Sequence, residues 1–274
     1  MQQFCLGDPH GQAEAVRDVL RKAKFNFSRD QLIILGDVVD GGRHTRELID
    51  ILLKVKNVIF VRGNHDEWSL GWYNHGNEDP HEYNWYLPEW IHQGGHATIE
   101  SYGGEWENIP QSHKDFMNSS IPYYIDEKNN LFVHGGLNPN KPIEQQKPYD
   151  LMWDRDIIDY AIEQPIPGYN LVFIGHTTVA HALCNVYGEG TKFTREDYIP
   201  LRFNNLIMMD TGGGWDCQIS LMNVDTFEYW QSHKGVNRPP RLELVLIRSA
   251  QPDWLCISTV GMQLHRQIRF PHQP

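Results

Sequence analysis

Apolar residues in the first quarter of the chain fall into short unbroken runs separated by stretches with helical spacing. Phe4-Cys5-Leu6, Leu32-Ile33-Ile34-Leu35 and Val58-Ile59-Phe60-Val61 are the runs. Between the first two, Ala13, Val16, Val19, Leu20 and Ala23 recur every three or four residues; between the second and third, Leu48, Ile49, Leu52, Leu53 and Val55 do the same. Short β-rich runs bounded by glycine predict buried strands, and the intervening spacing predicts amphipathic helices. The pattern is a βαβαβ start with a parallel sheet. From Glu67 to about Asn130 it gives way to helix-like pieces broken by glycine and proline and crowded with Trp68, Trp72, Tyr73, Trp85, Tyr86, Trp90, Tyr102 and Trp106. Leu131-Phe132-Val133 and Leu171-Val172-Phe173-Ile174 predict two further strands, and from Ile174 onward the signals are strand-like. Cys217–Val224 and Phe227–Trp230 predict a closing hairpin about Asp225-Thr226. The proline- and arginine-rich segment Arg238–Pro274 breaks with this pattern. The expected organisation is a body over 1–232, with an aromatic helical insert at 67–130, and an appended tail over 233–274.

A chain of 274 residues is long enough for one large α/β core. With 35 acidic against 24 basic side chains its formal charge is −11, which argues against a stable nucleic-acid partner. A phosphorylated substrate remains compatible, because bound cations reverse the local field. Cys5, Cys184, Cys217 and Cys256 show no CxxC spacing, so a reduced, cytoplasmic setting is the simplest expectation. The first strand starts almost at Met1, leaving no room for a signal peptide, and no apolar run reaches the roughly 20 residues that span a bilayer.

The predicted strands share a feature beyond their apolarity. Five of them end in a glycine-marked turn carrying ligand or acid–base residues: Gly7-Asp8-Pro9-His10-Gly11, Gly36-Asp37-Val38-Val39-Asp40-Gly41, Arg62-Gly63-Asn64-His65-Asp66, His134-Gly135-Gly136 and Gly175-His176. Side chains just beyond strand ends converge on one sheet edge. Asp8, His10 and Asp37 form one ligand set; Asp37, Asn64, His134 and His176 form a second, with Asp37 bridging. Oxygen and imidazole ligands without thiolate suit manganese, iron or zinc better than calcium or copper(I); manganese is the first expectation, with iron or zinc as alternatives. Two such cations about 3.5–4 Å apart share a hydroxide and polarise a phosphoryl oxygen. Each residue alone reads as a turn former, a helix cap or a structural histidine; six of suitable type at five strand ends do not.

In order and spacing these five segments resemble the motifs of the phosphoprotein phosphatase branch of the calcineurin-like metallophosphoesterases: G-D-x-H-G, G-D-x-V-D-R-G, G-N-H-E, H-G-G or H-A-G, and G-H. The resemblance covers about residues 2–232. Trp90–Gly103, Trp153-Asp154-Arg155 and Asp210-Thr211-Gly212 are similar to further elements of bacterial and phage members. It implies an α/β fold of four layers, α/β/β/α: a β-sandwich flanked by helices, with a dinuclear metal site at a sheet edge. It also implies roles. The histidine matching His65 protonates the leaving group, the aspartate matching Asp40 orients it, and the arginine matching Arg155 clamps phosphate. Two positions depart from the pattern. Gly41 stands where the family has a phosphate-gripping arginine, and Asp66 stands where glutamate is commoner. Arg43 and Arg62 lie close enough in sequence to substitute, although a solvated helix start for Arg43 and support of the turn for Arg62 are equally good readings.

The first functional expectation is therefore a metal-dependent phosphomonoesterase resembling Ser/Thr protein phosphatases, acting on a phosphorylated protein or small phosphoester. Asp40 supports it, because diadenosine-polyphosphate hydrolases typically carry alanine there. The alternative is hydrolysis of dinucleoside polyphosphates or another nucleotide, favoured by the aromatic residues and by the absence of arginine at position 41. A non-catalytic binding scaffold is the third reading, and the complete ligand set speaks against it.

Overall fold

The computed structural model describes residues 1–76, 90–188, 192–214 and 218–232. The expected tail, together with His81, Trp85, Tyr86, Cys217 and Cys256, lies outside them.

Ten strands form two five-stranded sheets. The first contains β1 (Gln3–Leu6), β2 (Gln31–Ile34), β3 (Asn57–Phe60), β9 (Ser220–Asn223) and β10 (Tyr229–Gln231), in the order β10-β9-β1-β2-β3. The second contains β4 (Tyr123–Ile125), β5 (Leu131–Val133), β6 (Val172–Ile174), β7 (Leu201–Phe203) and β8 (Leu206–Met208), in the order β4-β5-β6-β8-β7. β1, β2 and β3 are parallel, as the βαβαβ pattern predicts, and β9–β10 is the expected antiparallel hairpin.

The two-residue period of a strand sorts its side chains between layers. Phe4, Leu6, Leu32 and Ile34 face the helices over the first sheet. Leu131, Val133, Val172, Ile174, Leu206 and Met208 face those over the second. The residues between them in sequence, Cys5, Ile33, Phe132, Phe173 and Ile207, meet in the space between the sheets. Phe132 and Phe173 stack there with ring centroids 4.7 Å apart. Each strand is apolar on both faces because both faces are covered, and the result is the four-layer α/β/β/α sandwich.

The first helical layer holds α1 (Ala13–Lys22), α2 (Thr45–Leu52), α3 (Asn64–His75), α4 (His96–Ser101) and α5 (Gln111–Asn118). Trp72, Tyr73, Trp90 and Tyr102 are fully buried in it, in the same cluster as Phe4 and Leu32. These aromatics of the expected insert therefore serve as core over the first sheet. The second layer holds α6 (Pro148–Trp153), α7 (Asp156–Glu163) and α8 (Val179–Tyr187). The last of these corrects the strand-like expectation after Ile174. Its sequence is apolar on most sides, so periodicity does not separate it from a strand. The Thr178 side chain decides, accepting the His181 N–H at the helix start, while Val179, Ala182 and Leu183 are buried against the sheet.

Candidate active site

All five glycine-marked turns lie at the carboxyl ends of their strands and meet at one edge of the sandwich. The chain bends sharply to place them: of the eight non-glycine residues with positive φ among those described, His10, Asp37, Asp40 and His176 are site residues. Strained backbone of this kind concentrates at functional sites. Close packing demands glycine at two neighbouring positions. A Cβ at Gly63 would collide with the Asp37 carboxylate, and one at Gly175 with that of Asp8.

The candidate ligands converge as two overlapping sets, Asp8 with His10 and Asp37, and Asp37 with His134 and His176, with the ligand atoms in each set within 4.8 Å of one another. Asp37 belongs to both. Its Oδ2 lies 3.7 Å from His10 Nε2 and 3.4 Å from His134 Nε2. The far side of each of these rings faces a backbone carbonyl, His10 Nδ1 to Val39 O at 3.2 Å and His134 Nδ1 to Leu35 O at 2.6 Å. A carbonyl can only accept, so Nδ1 carries a proton and Nε2 is the nitrogen turned to the centre, with the carbonyl in the place of the usual second partner of a metal-ligating imidazole. Asn64 Oδ1 joins at 3.0 Å from His134 Nε2. Asp8 Oδ2 accepts the His176 N–H at 2.7 Å, while Asp8 Oδ1 and His176 Nε2 are buried without a hydrogen-bond partner.

The electrostatics combine burial with the crowding of carboxylates. Burial, then the charge of Asp210, pushes the Asp8 pKa up. Burial opposes a charge on His134, yet Asp37 and Asp8 outweigh it and raise the ring to about 10. His10 and His176 fall to about 4 and about 2, chiefly through burial, which keeps them in the neutral form that binds metal. Orphaned lone pairs, neutral imidazoles and excess buried negative charge together fit two divalent cations.

Beside the ligand cluster, His65 Nδ1 sits 2.8 Å from Asp40 Oδ2. Burial opposes its protonation, but Asp37 and Asp40 raise its pKa to about 9. Asp40 is itself held by two further side chains. The indole N–H of Trp90 lies 2.9 Å from both its oxygens, and Thr98 Oγ1 donates to Oδ1 at 2.8 Å. The Trp90–Gly103 element thus grips Asp40 from 50 or more residues away, a role that its sequence does not announce.

By sequence Asp66 is only a departure from the family pattern. Its carboxylate accepts the backbone N–H groups of Asp37, Val38 and Gly63 at 2.7, 2.9 and 2.9 Å, tying two ligand-bearing turns together. Burial and the Asp37 charge push its pKa up to about 7 against those bonds. Asp66→Asn should remove at least one of them, because an amide turns an N–H toward an N–H. A stranded buried donor costs about 1–3 kcal/mol, so thermal unfolding should occur several degrees lower, about 2–4 °C per kcal/mol for a chain of this size. An unchanged melting curve would contradict this bracing role.

The three candidate arginines differ. Arg155 is exposed, and its guanidinium makes no hydrogen bond or ion pair among the described residues. Its charge reaches His176, where it helps to depress that ring. Arg43 is exposed. Arg62 braces its turn: Nε donates to Ser120 Oγ at 2.9 Å, Nη1 to Glu67 at 2.8 Å and Nη2 to Ser120 O at 3.0 Å, which uses three of the five guanidinium N–H groups. Gly41, where the resemblance expects arginine, has φ +74°, and a Cβ added there would meet no atom nearer than 3.5 Å. Its conformation favours glycine although the space is open.

Comparison with known proteins agrees with this geometry. The family model described as calcineurin-like phosphoesterase matches residues 1–205. A symmetrical bis(5'-nucleosyl)-tetraphosphatase of Buchnera aphidicola subsp. Acyrthosiphon pisum (strain Tuc7) is 39% identical over 152 residues, covering 54% of this chain and 48% of the relative. A protein of the same name from Neisseria meningitidis is 26% identical over 140 residues, 51% of this chain and 45% of the relative. The chain thus spans about half the length of the curated relatives it matches. Among solved structures, that of a provisionally assigned diadenosine tetraphosphatase superposes with a TM-score of 0.60 at 16% identity, over 86% of this chain and 95% of the other; at that identity the likeness speaks for the fold. With the family pattern matched over three-quarters of its length, the chain belongs to the calcineurin-like phosphoesterase family.

Proposed function

We propose that this chain is a metal-dependent phosphoesterase that hydrolyses dinucleoside polyphosphates, splitting the central P–O–P bond of a tetraphosphate to release two nucleoside diphosphates. The observation that carries the hydrolytic part is the placement of Asp37 Oδ2 between His10 Nε2 and His134 Nε2. The substrate class rests on the relatives, which carry the name of symmetrical tetraphosphatases. This reverses the order of the two expectations drawn from sequence.

Asp8, His10, Asp37, Asn64, His134 and His176 would hold the cations. When bound, two divalent ions supply activation of water and neutralisation of charge on the phosphoryl oxygens. The protein does the rest. The Arg155 guanidinium, free of internal partners, engages a non-bridging phosphate oxygen pair. His65, whose protonated form Asp37 and Asp40 favour against burial, gives its Nε2 proton to the departing oxygen as the P–O bond breaks. Asp40 fixes the ring through Nδ1 and stabilises its charge. Trp90 and Thr98 keep Asp40 from turning away.

A second reading has its own support. A proton donor matters most for a poor leaving group, and the His65–Asp40 pair suits the alkoxide of a phosphomonoester such as a phosphoserine better than it suits a nucleoside diphosphate. The metal-loaded chain should be assayed on diadenosine tetraphosphate, mononucleotides, phosphopeptides and an aryl phosphate. The proposal expects the highest kcat/KM on the dinucleotide, with ADP as sole nucleotide product. Highest kcat/KM on a phosphopeptide would reinstate the second reading.

A further inference from the structure

A cavity of about 360 Å³ opens beside Trp153, lined among others by Lys141, Gln145, Lys147, Tyr149 and Asp150. Its volume lies in the range of small-molecule sites. The Trp153 ring connects it to the reaction centre. On one side that ring meets the candidate ligand His176, with centroids 5.4 Å apart and planes nearly perpendicular. On the other it meets Tyr149 at 5.9 Å with planes 30° apart. Tyr149 is 64% exposed, so its ring face is accessible from solvent. The Lys141 and Lys147 ammonium groups have no partner among the described residues, so a chain of charge −11 presents two unpaired cations here.

The wall is preformed. Gln146 accepts the Asn138 N–H at 2.8 Å and donates to the carbonyls of Asn138 at 3.0 Å and Lys141 at 2.9 Å, closing the loop that carries the first lysine. Aromatic faces, free ammonium groups and polar edges from Gln145 and Asp150 are the three components that recognise, in turn, a base, its phosphates and its hydrogen-bonding edge.

We infer that this cavity is a nucleotide subsite, which stacks the base of the substrate's departing half on Tyr149 and pairs its phosphates with Lys141 and Lys147. The inference rests on the proposed substrate class and extends it by saying what selects a dinucleotide over a small phosphoester. Trp153, which touches both His176 and Tyr149, lies between the ligand cluster and the cavity, with Arg155 two residues along the chain.

The test uses the full metal-loaded chain and two readouts. The first is the ratio of kcat/KM for diadenosine tetraphosphate to that for an aryl phosphate. Tyr149→Ala should lower this ratio about tenfold, mainly through KM, the loss expected for one base-stacking contact. Tyr149→Phe, which keeps the ring, should retain it, and Lys141→Ala with Lys147→Ala should lower it with a weaker dependence on salt. The second readout is inhibition of aryl phosphate hydrolysis by ADP, which should weaken in Tyr149→Ala by a similar factor. If the wild-type chain cleaves the dinucleotide but neither readout responds to Tyr149→Ala, the subsite is overturned and the substrate class stands. If the chain does not cleave it but ADP inhibition depends on Tyr149, the substrate class falls and the nucleotide subsite stands. Loss of both dinucleotide cleavage and ADP inhibition in the wild-type chain overturns both.

Discussion

Asp37→Asn is expected to cost more than about 10²-fold in activity and to leave the chain with at most one bound cation. Outer-shell partners of metal ligands are typically worth 10–100-fold, and Asp37 is the one carboxylate common to both ligand sets. Its Oδ2 faces His10 on one side and His134 on the other, and its Oδ1 accepts the His65 N–H at 3.0 Å. An amide keeps the size but removes the charge, and turns a donor toward one of these neighbours. Asparagine also tolerates the positive φ of 49° found here, so the fold should survive. Metal analysis beside a steady-state assay checks the pair of outcomes. A variant with two cations and wild-type turnover would show that Asp37 does not bridge.

The second large effect belongs to His65. His65→Asn should retain both cations yet lose about 10²–10⁴-fold in turnover, the usual contribution of a positioned proton donor. The substitution leaves the backbone N–H that donates to Asp37 in place and removes only the ring held by Asp40. The loss should shrink as the leaving group becomes a better one, being large for an alkyl phosphate and small for p-nitrophenyl phosphate. Equal losses across a leaving-group series would mean that the ring positions substrate and transfers no proton.

The first strands and helices and the ligand-bearing turns are legible in the sequence because they rest on local pattern, whereas the four-layer arrangement is expected only through the family resemblance. Phe4, Cys5 and Leu6 alternate between two apolar surroundings, and the sequence shows both. Asp8 and His10 sit two residues apart on one turn, so their convergence is a property of the turn itself. What stays hidden depends on partners far along the chain. Trp90 finds Asp40 across 50 residues, and Arg62 finds Ser120 across 58. Arg62 next to the Gly63-Asn64 turn is equally suited by sequence to phosphate or to bracing, and the bracing contact with Ser120 shows only in the tertiary structure. Asp66 stands out in sequence for not being glutamate, whereas its three backbone bonds reach into another turn. Tyr149 gives no signal at all, since an exposed ring four residues before Trp153 acquires meaning only from the cavity between them. The helix at Val179–Tyr187 escapes a periodicity reading because an element with few polar positions carries little periodicity.

Among the described residues no helix is long and apolar enough to cross a membrane. The measurement that bears most on the account is of the metals themselves. The chain should be stripped with a chelator, reloaded separately with manganese, iron or zinc, dialysed, and analysed by inductively coupled plasma mass spectrometry with a parallel activity assay. The account predicts two cations per chain, loss of activity on stripping, and its return on reloading with at least one of these metals. A stripped chain that hydrolyses phosphoesters at the full rate, or a fully active chain that never holds more than one cation, would contradict it.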